Sequence, residues 1–259
     1  MHRYHLFRAL ARSFGLVVFF LLVVAGCDSV DDEAASGRVV LVLDHTVGDE
    51  ALALDEIRYT NAAGNRYGVT LLEYILTDIA LHKADGTQVP LRAAHYVNAA
   101  DGATHRFAVE AIPAGTYTGV SFTVGVTGPD NTFGALPNTT DFANMVWPAQ
   151  MGGGTERYHY MRFEGRYEQA EGAPASFLVH TGPTGGNDNS ISPALAADFA
   201  VGGADREIRV QMDLGAWLAQ PNVYDFRAHE GMIMGNQAAQ AMLQANGASV
   251  FSVRVMPSP

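Results

Sequence analysis

The sequence predicts an all-β protein, a single antiparallel β-sandwich domain with long loops and a short C-terminal helix. Apolar and polar residues alternate through many short segments rich in Val, Ile, Leu and Phe, which is the pattern of half-buried strands. The chain has 27 Gly and 11 Pro, and many of them lie between these segments, where turns are expected. Only one segment carries clear helix signals.

The predicted strands follow one another with short polar connections. The first, residues 38–45, is rich in Val and Leu, and its period-2 pattern places Val39, Leu41, Leu43 and His45 on one face. Asp85-Gly86 predicts a tight turn between two of the strands. The remaining strands are expected at residues 67–81, 89–97, 116–126, 158–167, 176–180, 207–214 and 249–255.

The helix is expected at residues 236–246. Asn236 is a good N-cap, the residues after it favour helix, and Gly247 follows the end. No internal repeat and no second composition regime divide the chain after residue 37. We therefore assign residues 38–259 to one β-sandwich domain, which is long enough to bury a full core.

The N-terminal segment predicts export and lipid anchoring. Arg3, Arg8 and Arg12 precede an unbroken apolar run at residues 14–26, as in a secretory signal peptide. The run ends Val-Ala-Gly before Cys27, the single cysteine of the chain, and resembles the lipobox of bacterial lipoproteins. The resemblance implies cleavage after residue 26 and acylation of Cys27. The acidic and small residues that follow predict a flexible tether at residues 27–37. An ordinary signal peptide is the alternative.

Composition excludes several classes of function. With 16 Lys and Arg against 27 Asp and Glu, the net charge is −11, so nucleic acid is not an expected partner. One cysteine excludes a disulfide framework and a Cys-based metal cluster. We find no phosphate-binding loop, no Gly-x-Ser-x-Gly elbow and no carboxylate pair at a spacing typical of acid–base catalysis. The sequence therefore does not favour an enzyme.

Histidines are the best candidates for chemistry. His45 ends the first strand on its apolar face, His159 lies in a Tyr-rich strand, and His180 precedes a glycine-rich loop. Three imidazoles at strand ends, on inward faces, are expected to converge at one rim of the sandwich. Imidazoles with a thioether nearby suit copper and, less distinctively, zinc. Each of these histidines alone is more typical of a packed core residue than of a metal ligand. His229 is a reserve ligand, and we interpret three others as solvated surface residues: His82, His95 and His105.

Eight segments resemble, in order and spacing, the MbnP-like family of periplasmic copper-binding proteins. They are LDHTVG at 43–48, YTNAAGNRY at 59–67, LEYILTDI at 72–79, PAGTY at 113–117, FTVGV at 122–126, MVWP at 145–148, YMRFEG at 160–165 and VHTG at 179–182. The resemblance implies a secreted β-sandwich that binds copper. In some members, histidines act together with a tryptophan that a di-haem peroxidase-like partner oxidises to kynurenine.

Carried over to this chain, the resemblance assigns His45 and His180 as metal ligands and Trp147 as the residue for oxidation. His159 falls where many relatives have an apolar or aromatic residue, so it is the least family-like ligand. Many relatives also carry a second tryptophan near Trp147, which this sequence lacks. A core aromatic is the alternative interpretation of Trp147.

Two functions remain as hypotheses. One is a lipid-anchored protein of the bacterial cell envelope, periplasmic or on the outer surface, that buffers or delivers copper. The other is a metal-free β-sandwich lipoprotein that acts as a binding or interaction module, because a fold alone does not fix a function.

Overall fold

The first strand, β1 (Ser36–Val47), shows how the sequence builds the core. In the computed structural model, which describes residues 36–151 and 153–257, Val39, Leu41 and Leu43 of β1 all lie in the main hydrophobic core. Their alternation places His45 on the same core-facing side, as expected. The core lies between two β-sheets, so the all-β sandwich predicted from the sequence is confirmed.

A five-stranded sheet forms one layer, in the order β15-β13-β1, and both β2 and β6 pair with β1. Its most central pair, β1 and β13, is parallel, with Leu41 opposite Ile208, and this departs from the antiparallel pairing expected throughout. Numbered along the whole chain, its strands are β1, β2 (Glu50–Ala51), β6 (Arg106–Pro113), β13 (Arg206–Asp213) and β15 (Phe251–Pro257).

An eight-stranded sheet forms the other layer, in the order β12-β7-β4-β10-β11-β14, with β3 and β5 also paired to β4. The long strand β4 pairs with β5 across the turn predicted at Asp85-Gly86. The strands are β3 (Tyr59–Thr60), β4 (Arg66–Lys83), β5 (Gln88–Asn98), β7 (Gly115–Val124), β10 (Met161–Tyr167), β11 (Ala175–Thr181), β12 (Ala194–Val201) and β14 (Gly231–Met232).

A long excursion between β7 and β10 covers part of the outer face of the eight-stranded sheet. It contains α1 (Thr140–Ala143) and a small sheet of β8 (Val146–Trp147) and β9 (Arg157–Tyr158). A second hydrophobic cluster lies beneath it, in which Phe142, Met145 and Tyr158 pack with Ile75 of β4. Asn131 joins two parts of this connection, because its buried side chain accepts a hydrogen bond from the Tyr158 N–H (3.0 Å).

Two further helices lie in the C-terminal part, α2 (Leu214–Trp217) and α3 (Gln237–Gly247). Asn236 caps α3 through its side chain, as the sequence predicts. Short 3-10 turns occur at Gly102–His105 and Gly128–Asp130.

Within the described ranges, no helix is long and apolar enough to cross a membrane. The predicted signal peptide, Cys27 and residues 27–35 of the tether lie outside the described residues. β1 begins at Ser36, two residues before the domain start expected at residue 38.

Candidate metal centre

Trp147, His159 and His180 come together on the outer face of the eight-stranded sheet. Phe177 and Val179 of β11 face the core, so strand alternation turns His180 outward. His159 lies just before β10, where its N–H donates to the Met145 carbonyl (2.7 Å). Its ring centroid is 5.0 Å from that of His180 and 4.9 Å from that of Trp147, with edge-to-face geometry in both pairs.

The backbone at Gly182 forms one wall of this cluster. A Cβ atom at this position would lie 2.5 Å from Cε3 of Trp147, so only glycine lets the chain pass so close to the indole. Gln240 of α3 fixes the same segment, because its Nε2 donates to the His180 carbonyl (2.7 Å) and its Oε1 accepts from the Gly182 N–H (3.2 Å).

Four buried nitrogen atoms in this cluster lack a hydrogen bond of good geometry among the described residues, although backbone groups of Met145 and Val146 lie close enough to the His159 ring to raise its pKa. The four nitrogens are Nε1 of Trp147, Nδ1 of His180, and both Nδ1 and Nε2 of His159. A buried polar atom left without a partner costs about 1–3 kcal/mol, and native proteins rarely tolerate several in one place. The concentration of unpaired imidazole nitrogen is therefore the strongest sign that this cluster receives a ligand.

Glu164 orients His180. His180 Nε2 donates to Glu164 Oε1 (2.8 Å), and Arg162 holds the same carboxylate (3.2 Å) while also bonding to Glu73 (2.8 Å). Because the carboxylate accepts a hydrogen bond from Nε2–H, a neutral ring carries its lone pair on Nδ1, which is the unpaired atom of the cluster. The hydrogen bond from His180 is also the main reason why the pKa of Glu164 is lowered.

Burial keeps His159 neutral. Desolvation, followed by the neighbouring His180 and Arg162, lowers the pKa of His159 to about 3. A metal ion binds the neutral imidazole, so this ring needs no deprotonation before it can act as a ligand near neutral pH.

The predicted convergence of all three histidines does not occur. His45 faces the core from β1, and its Nε2 lies 3.0 Å from the hydroxyl of Tyr74. Tyr74 also faces the core, whereas its neighbour Glu73 and the opposite residue Arg162 lie on the outer face with His180. His45 and His180 are therefore on opposite sides of the eight-stranded sheet, because the prediction placed His180 on an inward face that Val179 occupies.

The other histidines also differ from the expectations. His229, the reserve ligand, stacks on Tyr224, with 4.6 Å between the ring centroids. His95 is buried rather than solvated, and its Nε2 donates to the Thr104 carbonyl (2.8 Å). His105 is half-buried and packs against His45.

The cluster supplies two imidazoles rather than a complete ligand set. Within residues 36–151 and 153–257, no group of three or more His, Cys, Asp or Glu side chains is arranged to hold a metal ion. The donor set of His159 and His180 fits a soft ion that accepts few ligands, such as Cu(I), better than an ion that requires four.

Glu164 and Gln240 are site residues that the sequence did not reveal as such. Glu164 lies inside the segment YMRFEG, but nothing local shows that it faces His180 across a strand pair. Gln240 lies in a helix some 60 residues further along the chain, and only the fold brings it to the His180 backbone.

The comparisons with known proteins agree with this architecture. A family model described as MbnP matches residues 36–235. The solved structure of MbnP from Methylosinus trichosporium is similar to this chain, with a TM-score of 0.55 and 14% sequence identity, over 85% of this chain and 99% of that one. At that identity the likeness concerns the fold. No curated protein matches the chain. Since the family model covers most of the sequence, the chain belongs to the MbnP family.

Proposed function

We propose that this protein binds copper at the cell envelope, where it buffers or delivers the metal, and that His159 and His180 are the ligands. The observation that supports this most is the group of unpaired nitrogens in one buried cluster. Copper is here the cargo. Its preference for imidazole, and the ability of Cu(I) to accept few ligands, fit the two rings present.

The surrounding residues prepare these ligands. Burial keeps His159 neutral, Glu164 directs the lone pair of His180 toward the cluster, and Gln240 fixes the backbone that carries His180. The ion would therefore meet one ring that is already neutral and a second ring that is already oriented, which reduces the cost of binding.

Trp147 is the proposed site of oxidation by a di-haem peroxidase-like partner. Cleavage of the indole C2–C3 bond adds two oxygen atoms, which two equivalents of hydrogen peroxide supply with release of two waters. Hydrolysis of the resulting formyl group releases formate and leaves kynurenine. Its aniline nitrogen replaces the indole N–H, which is only a donor, with a possible ligand beside His159.

Copper titration of the purified protein tests the ligand assignment. Under anaerobic conditions, with a chromophoric chelator as competitor, His180→Ala and His159→Phe should each weaken Cu(I) binding at this site. His82→Ala is the matched control, because His82 hydrogen-bonds Ser121 on another strand pair and should leave binding unchanged. Unchanged binding in both ligand variants would contradict the assignment, and no binding by the unaltered protein would favour a metal-free interaction module.

Intact-mass measurement after co-expression with a di-haem partner tests the oxidation. The expected change is the gain of two oxygen atoms followed by loss of the formyl group, absent in Trp147→Phe. An unmodified mass would remove the kynurenine proposal and leave binding by two histidines intact.

The lipid anchor is tested separately. Cys27→Ser should move the protein from the membrane fraction to the soluble fraction of the envelope, because an acyl chain on Cys27 supplies the proposed membrane affinity. Equal partitioning of the variant and the unaltered protein would contradict lipidation.

A further inference from the structure

A second pair of histidines lies across the eight-stranded sheet from the cluster around Trp147. His45 lies near the end of the core-facing side of β1, and His105 ends the 3-10 turn Gly102–His105. Their ring centroids are 5.1 Å apart at an interplanar angle of 69°. Both rings line a cavity of about 170 Å³, which also touches Leu52 and Ala99. The pair is thus next to a space that can hold an ion and water.

The hydrogen bonds leave one nitrogen of each ring for a ligand. His105 Nε2 donates to the Asn98 carbonyl (2.9 Å), and since a carbonyl only accepts, the neutral ring carries its lone pair on Nδ1. His45 engages the hydroxyl of Tyr74 through Nε2 (3.0 Å), so its Nδ1 is the remaining atom. Neither Nδ1 has a hydrogen bond to another described residue.

We propose that His45 and His105 form a second metal site, which binds a soft or borderline transition-metal ion such as copper through the two Nδ1 atoms. A metal–nitrogen bond of about 2.0–2.1 Å to each ring spans centroids up to roughly 6 Å apart, so the observed separation fits one shared ion. Water in the cavity completes the coordination.

The surroundings favour a metal over a purely structural pair. Asp44 is tied to Arg209 (2.9 Å) and does not compete for the imidazoles. His105 is only half-buried, so an ion can reach the pair from solvent.

Titration with Cu(I) under anaerobic conditions tests this site in the purified protein. The unaltered protein should bind two equivalents, and His105→Gln one. Glutamine is chosen because its amide can still donate to the Asn98 carbonyl and so preserve the turn. His82→Gln is the matched control and should keep both equivalents. His180→Ala should lose the other equivalent, so failure of the first site and failure of this one are distinguishable.

A second measurement needs no variant and guards against misfolding of His105→Gln. Cu(I) is diamagnetic, so long-range proton–nitrogen NMR spectra can follow the imidazole nitrogens during the titration. Nδ1 of His45 and Nδ1 of His105 should shift together. Stoichiometry in His105→Gln equal to that in His82→Gln, or unshifted Nδ1 signals at saturation, would overturn the proposal.

Discussion

Gly182→Ala should destabilise the protein through its contact with Trp147. The added Cβ would lie 2.5, 2.6 and 2.8 Å from three carbon atoms of the indole, where ordinary contact begins near 3.4 Å. The φ of Gly182 is outside the left-handed region, so steric overlap alone opposes alanine. The variant therefore tests whether the glycine after His180 is required by the tryptophan.

Neither side of the contact can move away freely. Trp147 is completely buried and packs edge-to-face on His159. The Gly182 N–H donates to Gln240 (3.2 Å), and its carbonyl accepts from Asn189 (2.7 Å), so the backbone is held on both sides. We expect the upper part of the usual cost of overpacking, about 3 kcal/mol. Alanine also lowers the conformational entropy of the unfolded chain, which stabilises the folded protein by about 0.4–1 kcal/mol and offsets part of this cost.

The expected net loss is about 2 kcal/mol, which corresponds to a fall in Tm of roughly 4–8 °C for a domain of this size. Urea unfolding and thermal denaturation followed by circular dichroism measure it. Gly102→Ala is the matched control, because its Cβ would have no atom within 4 Å and its φ is also outside the left-handed region. Equal free energies of unfolding for the two variants would refute the reasoning and show that the Trp147 side chain can shift to make room for the added methyl group.

Three further predictions follow from the same contacts. Glu164→Gln removes the charge that orients His180, and a titration should show Cu(I) affinity reduced about 10–100-fold, with His82→Gln unchanged. The free energy of unfolding of the metal-free protein should fall as pH is lowered from about 6.5 to about 3. The reason is that the pKa values of His45 and His159, about 4 and about 3, lie below the unfolded value near 6.5, so the unfolded chain binds more protons in that window. Urea titrations across this range measure the slope, and a flat profile would contradict it. Asn246→Ala should cost about 2–3 kcal/mol in urea unfolding, because it leaves one buried and one partly buried carbonyl between α2 and α3 unpaired, and a smaller loss would show that water replaces the lost bonds.

Strand alternation and turn chemistry made most of the fold predictable. In β7, Val120, Phe122 and Val124 are buried as their period-2 spacing indicates, and Asn236 caps α3 at the expected residue. These signals are local, because they depend on residues a few positions apart.

The parts that were not predicted depend on distant segments. The parallel pairing of β1 with β13 joins residues more than 160 positions apart, and no local pattern encodes it. The strands β6 and β12 were not predicted at all. The first of these, residues Arg106–Pro113, has mostly half-exposed or exposed positions, and Ala194–Val201 is rich in alanine, so neither carries a clear strand pattern.

The sequence placed the three histidines together, and the structure divides them. His159, His180 and Trp147 meet, but His45 does not join them, because the face of a strand-end residue depends on its register with neighbouring strands. His180 follows the core-facing Val179 and so points outward, and His45 points inward from the opposite sheet. The contact between His105 and His45 could not be predicted from the sequence, because it depends on the conformation of the short 3-10 turn that carries His105.

The division of the histidines into two pairs bears on why Trp147 lies where it does. If all three predicted imidazoles had met, they would have supplied a nearly complete set for copper, and the tryptophan would be explained by packing alone. With only His159 and His180 present, the cluster lacks a third donor, and the residue in contact with His159 is an indole whose own nitrogen has no partner among the described residues. Conversion of that indole to an aniline would supply the missing donor without moving the backbone, which Gly182 and Gln240 hold in place. The protein with unmodified Trp147 should therefore bind Cu(I) at this site more weakly than the protein with oxidised Trp147, and equal affinities would separate the oxidation from metal binding altogether.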